Sequence, residues 1–137
     1  VGAIGKLAII GDVVVAFNWG YLSSPTKIAV AKWETSREMQ GRVVKALDTY
    51  ASELQSIFYL AECVTADGYE NQGLQKQLVA DMRRSARPDI TWVVRTNAYQ
   101  TPMVRICEND LGLTRIIDIN QDIVNPDRVL YAGRTRG

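Results

Sequence analysis

Residues 88 to 95 read Pro88-Asp89-Ile90-Thr91-Trp92-Val93-Val94-Arg95, and this stretch divides the chain. Proline disfavours helical backbone at the residue before it, so a helix arriving from upstream ends there. The run Thr91 to Val94 is β-branched and aromatic, which predicts a strand. The sequence therefore reads as a helical region over residues 1–88 and a small mixed unit over residues 89–137.

Upstream of Pro88, Leu74, Leu78 and Met82 recur at spacing four and predict a helix from about Glu70 to Ala86. Arg83, Arg84 and Arg87 crowd its last turn, where positive charge meets the negative end of the helix dipole at a gain of about 0.3 to 1 kcal/mol each. Before it, Met39, Val43, Leu47, Tyr50 and Leu54 form an apolar stripe broken by Arg42, Lys45, Asp48 and Glu53. Ile57, Phe58, Leu60, Ala61 and Val64 extend that surface towards a turn at Asp67 and Gly68. Thr35 and Glu38 have capping-box spacing, and Ser24-Pro25 is a second helix start. Residues 1–20 are ambiguous: Ile4, Leu7, Ala8 and Gly11 are helix-spaced, whereas Val13, Val14 and Val15 favour a strand. A helix packed against a neighbouring chain is the expectation. Lys6, Asp12 and Asn18 make the segment a poor membrane span.

Downstream, Thr101-Pro102 opens a short helix through Met103, Val104, Ile106 and Cys107 that stops near Gly112. Val129 to Tyr131 form a closing strand after a turn at Asn125-Pro126-Asp127. The fold class expected is α+β, a mainly helical hairpin or bundle followed by a small β-α-α-β module.

Charge and residue usage restrict the chemistry. Sixteen basic and fifteen acidic residues nearly cancel, so the chain lacks the basic footprint of a nucleic-acid binder. There is no histidine, which removes the commonest metal ligand and general base. Cys63 and Cys107 have no metal-site spacing. No catalytic residue, metal or cofactor is expected from these features. A start at Val1 and an end at Gly137 read as a fragment of a longer chain.

The last 50 residues resemble a LysM-like module, on Met103, Val104 and Ile106, then Ile116, Ile117 and Ile119 leading to Asn120, then Asn125-Pro126 and Gly133. With the helix beginning Thr35-Ser36-Arg37-Glu38 and the one from Leu74 to Arg87, residues 35 to 137 resemble the C-terminal part of Mu-type phage tail proteins, the DNA circularisation or circulation protein family. That resemblance implies a virion structural protein of the tail or baseplate, not an enzyme. It implies assembly in the host cytoplasm and docking to tube, hub and tape-measure subunits, as a homo-oligomeric ring. The alternative is a peptidoglycan-binding LysM module of a cell-wall enzyme.

Candidate partner-docking residues are Trp19, Trp92, Tyr99, Arg83, Arg84 and Arg87, since aromatic and arginine side chains anchor interfaces. Glu62, Asp67 and Glu70 offer the carboxylates a glycosidase uses, but around a turn a solvated surface is the favoured reading. Cys107, without a histidine to activate it, reads as a buried structural thiol.

Overall fold

A computed structural model describes residues 2–34, 36–50, 57–116 and 127–135. The first finding overturns the expected helix at the start. Residues Ala3–Ile10 (β1) and Val13–Ser23 (β2) form an antiparallel hairpin. Gly11, at φ 61°, supplies the positive φ that a two-residue turn between Ile10 and Val13 requires. The β-branched Val13 to Val15 prevail over the helix-spaced apolar residues because a hairpin satisfies the backbone of both segments.

Pro25–Lys32 (α1) follows, and Ser24 Oγ accepts from the Lys27 N–H at 3.3 Å, as the Ser-Pro signal predicts. Arg37–Asp48 (α2) is capped by Ser36, whose hydroxyl accepts from the Met39 N–H at 3.2 Å. The expected cap, Thr35, lies outside the described residues. The stripe Met39, Val43, Leu47 is buried as its spacing requires, while Leu54 lies outside the described residues.

The second correction concerns Ile57–Thr65, which is a strand (β3) and not a continuation of the helical surface. Its first four residues are buried on both faces, so the sequence shows an unbroken apolar run without alternation. Leu74–Ser85 (α3) then leads to Thr91–Asn97 (β4), which pairs parallel to β3. Thr101–Arg105 (α4) continues into a π-helical turn, Ile106–Asp110. Thr114–Arg115 (β5) and Arg128–Arg134 (β6) complete a six-stranded sheet of order β1-β2-β3-β4-β6-β5.

The molecule is thus a mixed sheet with helices on both faces, and not a helical bundle followed by a LysM-like module. The strands at 91–97 and 128–134 do pair antiparallel. The other edge of β4, however, is held by β3, so both sides of residue 88 contribute to one sheet. The expectations for Ile117, Ile119, Asn120, Asn125 and Pro126 fall outside the described residues.

Alternation along the central strands builds two cores. Ile57, Tyr59, Val93, Leu130 and Ala132 face α1 and α2, with Ile28, Val43 and Leu47. Phe58, Leu60, Trp92, Val94 and Tyr131 face the other way, against Val79 and Met82 of α3 and Ile106, Cys107 and Leu111 after α4. Each large apolar side chain buried this way contributes roughly 1.5 to 3 kcal/mol. Gly20 is required in β2 for packing: a Cβ there would lie 2.6 Å from the Phe58 ring and 2.7 Å from the Tyr59 carbonyl oxygen.

Candidate functional site

The parallel pair at the middle of the sheet does not stay together. β3 and β4 are in register from Ile57↔Thr91 to Leu60↔Val94, yet β3 continues to Thr65 and β4 to Asn97. The point of separation coincides with an irregularity on the other edge of β3. Gly20 of β2 pairs with Leu60 and Trp19 pairs with Glu62, so Ala61 is the extra residue of a β-bulge. Such a bulge bends its strand and leaves one residue's backbone groups out of the ladder. β3 therefore turns away from β4 beyond Leu60, and a cleft opens between residues 61–65 and 95–97. Crevices at the carboxyl ends of parallel strands are where open α/β sheets bind ligands.

The bulge also changes which side chains face where. Before it, Phe58 and Leu60 face α3; after it, Cys63 packs on that side while Glu62 joins Trp19 on the opposite face. Trp19 Nε1 donates to Glu62 Oε2 at 3.1 Å, which fixes an exposed carboxylate at the cleft edge. Trp19 stacks at 5.5 Å on Tyr21, and Tyr21 at 5.6 Å on Tyr59.

At the mouth, the chain leaves β3 through a loop with three positive-φ residues, Gly68 (φ 88°), Asn71 (φ 63°) and Gly73 (φ 74°). Gly73 is the N-cap of α3 and no side chain caps that helix end. Consecutive turns of this kind aim backbone N–H groups into a concavity, and a helix N-terminus adds a positive dipole end. Gln75 ties the helix start to the strands, its Nε2 donating to the carbonyls of Phe17 at 3.0 Å and Val64 at 2.8 Å. Lys76 stands in the same first turn, 3.7 Å from Asp110. Glu70 carries a competing charge, since its carboxylate accepts from the Gly68 N–H at 2.9 Å.

On the α3 side of the sheet, Tyr131 is paired in register with Val94, level with the apex of the cleft. Its hydroxyl donates to Glu108 Oε2 at 2.6 Å. Burial, with that bond and the Glu108 charge, pushes the Tyr131 pKa well up, so it is a neutral donor at neutral pH. Burial pushes the thiols of Cys63 and Cys107 up to about 12, which makes both poor nucleophiles.

The residues singled out from the sequence are scattered. Trp19 lies partly exposed on β2, one strand away from the cleft and beside Glu62, and Tyr99 is exposed in the loop after β4. Trp92 is 1% exposed, stacked 4.8 Å from Phe58 inside the core. Arg83 and Arg84 lie in the last turn of α3 and Arg87 just beyond it, at the end of the sheet away from the cleft. Arg84 pairs with Asp81 and Arg87 with Asp89. Of the three carboxylates weighed together, Glu62 is on the strand face and Glu70 in the loop. No cluster of metal-ligating side chains occurs among the described residues. Sequence reasoning did not find the Trp19–Glu62 pair, because the bulge that brings them to one face has no local sequence mark. The glycines at 68 and 73 ahead of a helix were the available signal for the loop. No helix among the described residues is long and apolar enough to cross a membrane.

No protein-family model matches the chain, and no curated protein matches it. Solved structures do. The chain is similar to Arabidopsis thaliana NAA60 in complex with acetyl-CoA, with TM-score 0.61 and 10% identity, over 99% of this chain and 78% of that one. A GNAT family acetyltransferase from Elizabethkingia anophelis with acetyl-CoA bound matches with TM-score 0.55 and 12% identity, over 97% and 76%. An acetyltransferase from Thermus thermophilus matches with TM-score 0.57 and 10% identity, over 97% and 64%. The chain has the fold of the GNAT acetyltransferases. The resemblance to phage tail proteins and to LysM modules is thereby overturned. With it fall the structural role in a tail or baseplate, the non-enzymatic assignment, and the tube, hub, tape-measure and ring partners.

Proposed function

We propose that this chain transfers an acyl group from an acyl-CoA-type thioester to an amine. The observation that carries the reading is the cleft at the bulge, with an uncapped helix N-terminus at its mouth and a fixed carboxylate on its edge. Each part suits one part of the reaction. The separated edges of β3 and β4 offer backbone groups to an extended, amide-bearing arm, as a sheet edge does to an added strand. The loop from Gly68 to Gly73 and the start of α3 suit the phosphates of such a donor. Lys76 adds a cation in the same turn.

In the transfer step the ammonium held at Glu62 first loses a proton to water, and the neutral amine nitrogen then attacks the thioester carbonyl carbon and forms a C–N bond. The carbonyl oxygen gathers negative charge, which the backbone N–H groups of β3 left out of the ladder at the bulge stabilise. Glu62 takes the proton that the nitrogen loses. Collapse breaks the C–S bond, and the thiolate leaves and takes a proton from water. Trp19 holds Glu62 in place through its 3.1 Å hydrogen bond. The buried thiols are spectators, since neither forms a thiolate near neutral pH.

The test is isothermal titration with acetyl-CoA together with release of free CoA in the presence of a primary amine. Binding, and amine-dependent release that Glu62→Gln reduces at least about 100-fold, is the expected result. No binding of acetyl-CoA overturns the proposal.

A further inference from the structure

The three strands beside the cleft carry an uncovered face arranged in rows. Residues directly opposite one another in a ladder share a face. Leu7, Phe17 and Val64 form one row, Gly5, Trp19 and Glu62 the next, and Ala3, Tyr21 and Tyr59 the third. The stacking of Trp19 on Tyr21 and of Tyr21 on Tyr59, and the bond from Trp19 to Glu62, place these rows on the face that α1 and α2 cover only farther along. Leu7 is 60% exposed, Val64 45% and Trp19 39%, so the first two rows are open to solvent. Gly5 places no side chain beside Trp19, which leaves the indole flank free.

Charge on this platform is nearly absent and one-sided. Its three rows hold a single carboxylate, Glu62, at the cleft edge. Among the described residues, the cations beside the third row lie towards the helices and the strands beyond them: Lys32 Nζ stands 5.3 Å from the Tyr59 ring, the Arg95 guanidinium stands 4.9 Å from the Trp33 ring, and Arg95 and Arg128 both act on Tyr59 by charge. An acceptor with one amine meets the carboxylate. A second positive charge on the same acceptor has to lie over Leu7, Phe17 and Val64 without a partner, or approach Lys32. Rows two residues apart along a strand are about 7 Å apart. A flat apolar body on the first row therefore reaches Glu62 through a short alkyl arm.

We infer that the acceptor is a monocationic amine borne by a flat apolar group, an arylalkylamine in chemical class, and not a polycation or a lysine-bearing peptide. The inference rests on the acyl-transfer reading and names the acceptor for that same cleft. Trp19 serves in it twice, as the stacking surface for the body and as the anchor of the carboxylate.

Two measurements separate this inference from the donor reading. In the first, 2-phenylethylamine is titrated into the protein without donor and followed by tryptophan fluorescence. Saturable binding is expected, weakened at least tenfold in Leu7→Arg and in Glu62→Gln. In the second, kcat/KM with acetyl-CoA is compared for 2-phenylethylamine, spermidine and a lysine-containing peptide. The arylalkylamine is expected to lead by at least tenfold, and Leu7→Asp, on β1 and away from the donor cleft, is expected to raise its KM without changing acetyl-CoA affinity. Amine binding with no acetyl-CoA binding removes the donor reading and leaves the platform standing. No saturable amine binding, or acetylation in which spermidine or the peptide leads, overturns the inference.

Discussion

Trp19 and Glu62 face each other in register across β2 and β3, one residue past the bulge that parts β3 from β4, and the indole donates to the carboxylate at 3.1 Å. A single insertion in the ladder thus opens the cleft and turns a charged side chain to its edge. Trp19→Phe keeps the ring and removes the donor. The expected outcome is a roughly three- to tenfold loss of kcat with little loss of folding stability, because the bond is exposed. Steady-state kinetics alongside urea unfolding checks both halves.

Close approach at Gly20 supports the same bulge. Gly20→Ala forces the added methyl against the ring of buried Phe58 and the Tyr59 carbonyl, so the ring or the strand backbone has to shift. Destabilisation of about 1 to 3 kcal/mol is expected. Gly41→Ala is the control, since nothing lies within 4 Å of a Cβ there and alanine favours the interior of α2. Urea midpoints for the two variants should move in opposite directions.

Much of the helical part of this fold was legible in the sequence. Helices α2 and α3 were readable because one face is buried and the other wet, so Met39, Val43 and Leu47, and Leu78 and Met82, keep helical spacing. Ser24-Pro25 and Thr101-Pro102 marked true helix starts. β4 and β6 were readable from β-branched and aromatic runs. β3 was not, since burial on both faces erases the alternation that identifies a strand, and the stripe before it suggested continuation. The site was least legible of all. Glu62 was in view only as one of several acidic residues near a turn, and nothing local reveals that Ala61 is the inserted residue.

The loop ahead of α3 carries its own competitor. Glu70 accepts from the Gly68 N–H, placing a negative charge where the donor's phosphates are proposed to bind. Glu70→Gln removes that charge and retains an acceptor. Acetyl-CoA affinity is expected to rise about three- to tenfold, with the gain shrinking as salt screens the loop. Calorimetric titration at two ionic strengths measures it.

Alkaline pH should unfold the protein in a predictable window. Burial raises Cys63 and Cys107 from 9.0 to about 12, and Tyr59 from 10.0 to about 12. Between those values the native state keeps protons that the unfolded chain has lost, so the stability they confer is complete below about pH 9 and declines as pH rises to 12. Replacing both cysteines by alanine should flatten the early part of that decline. Denaturant titrations from pH 8 to 11 give the slope directly, and a steeper slope in the double variant would contradict the assignment.

Hydrogen exchange with and without acetyl-CoA bears most directly on the cleft itself. Saturating acetyl-CoA should slow exchange in residues 61–76, which span the parted edge of β3, the loop and the start of α3, and in residues 95–97 of β4. The hairpin tip from Ile9 to Val14 should be unaffected. Protection confined to some other surface, or none at a concentration far above any measured Kd, would contradict the claim that the parted strands and the α3 N-terminus form an acyl-donor site.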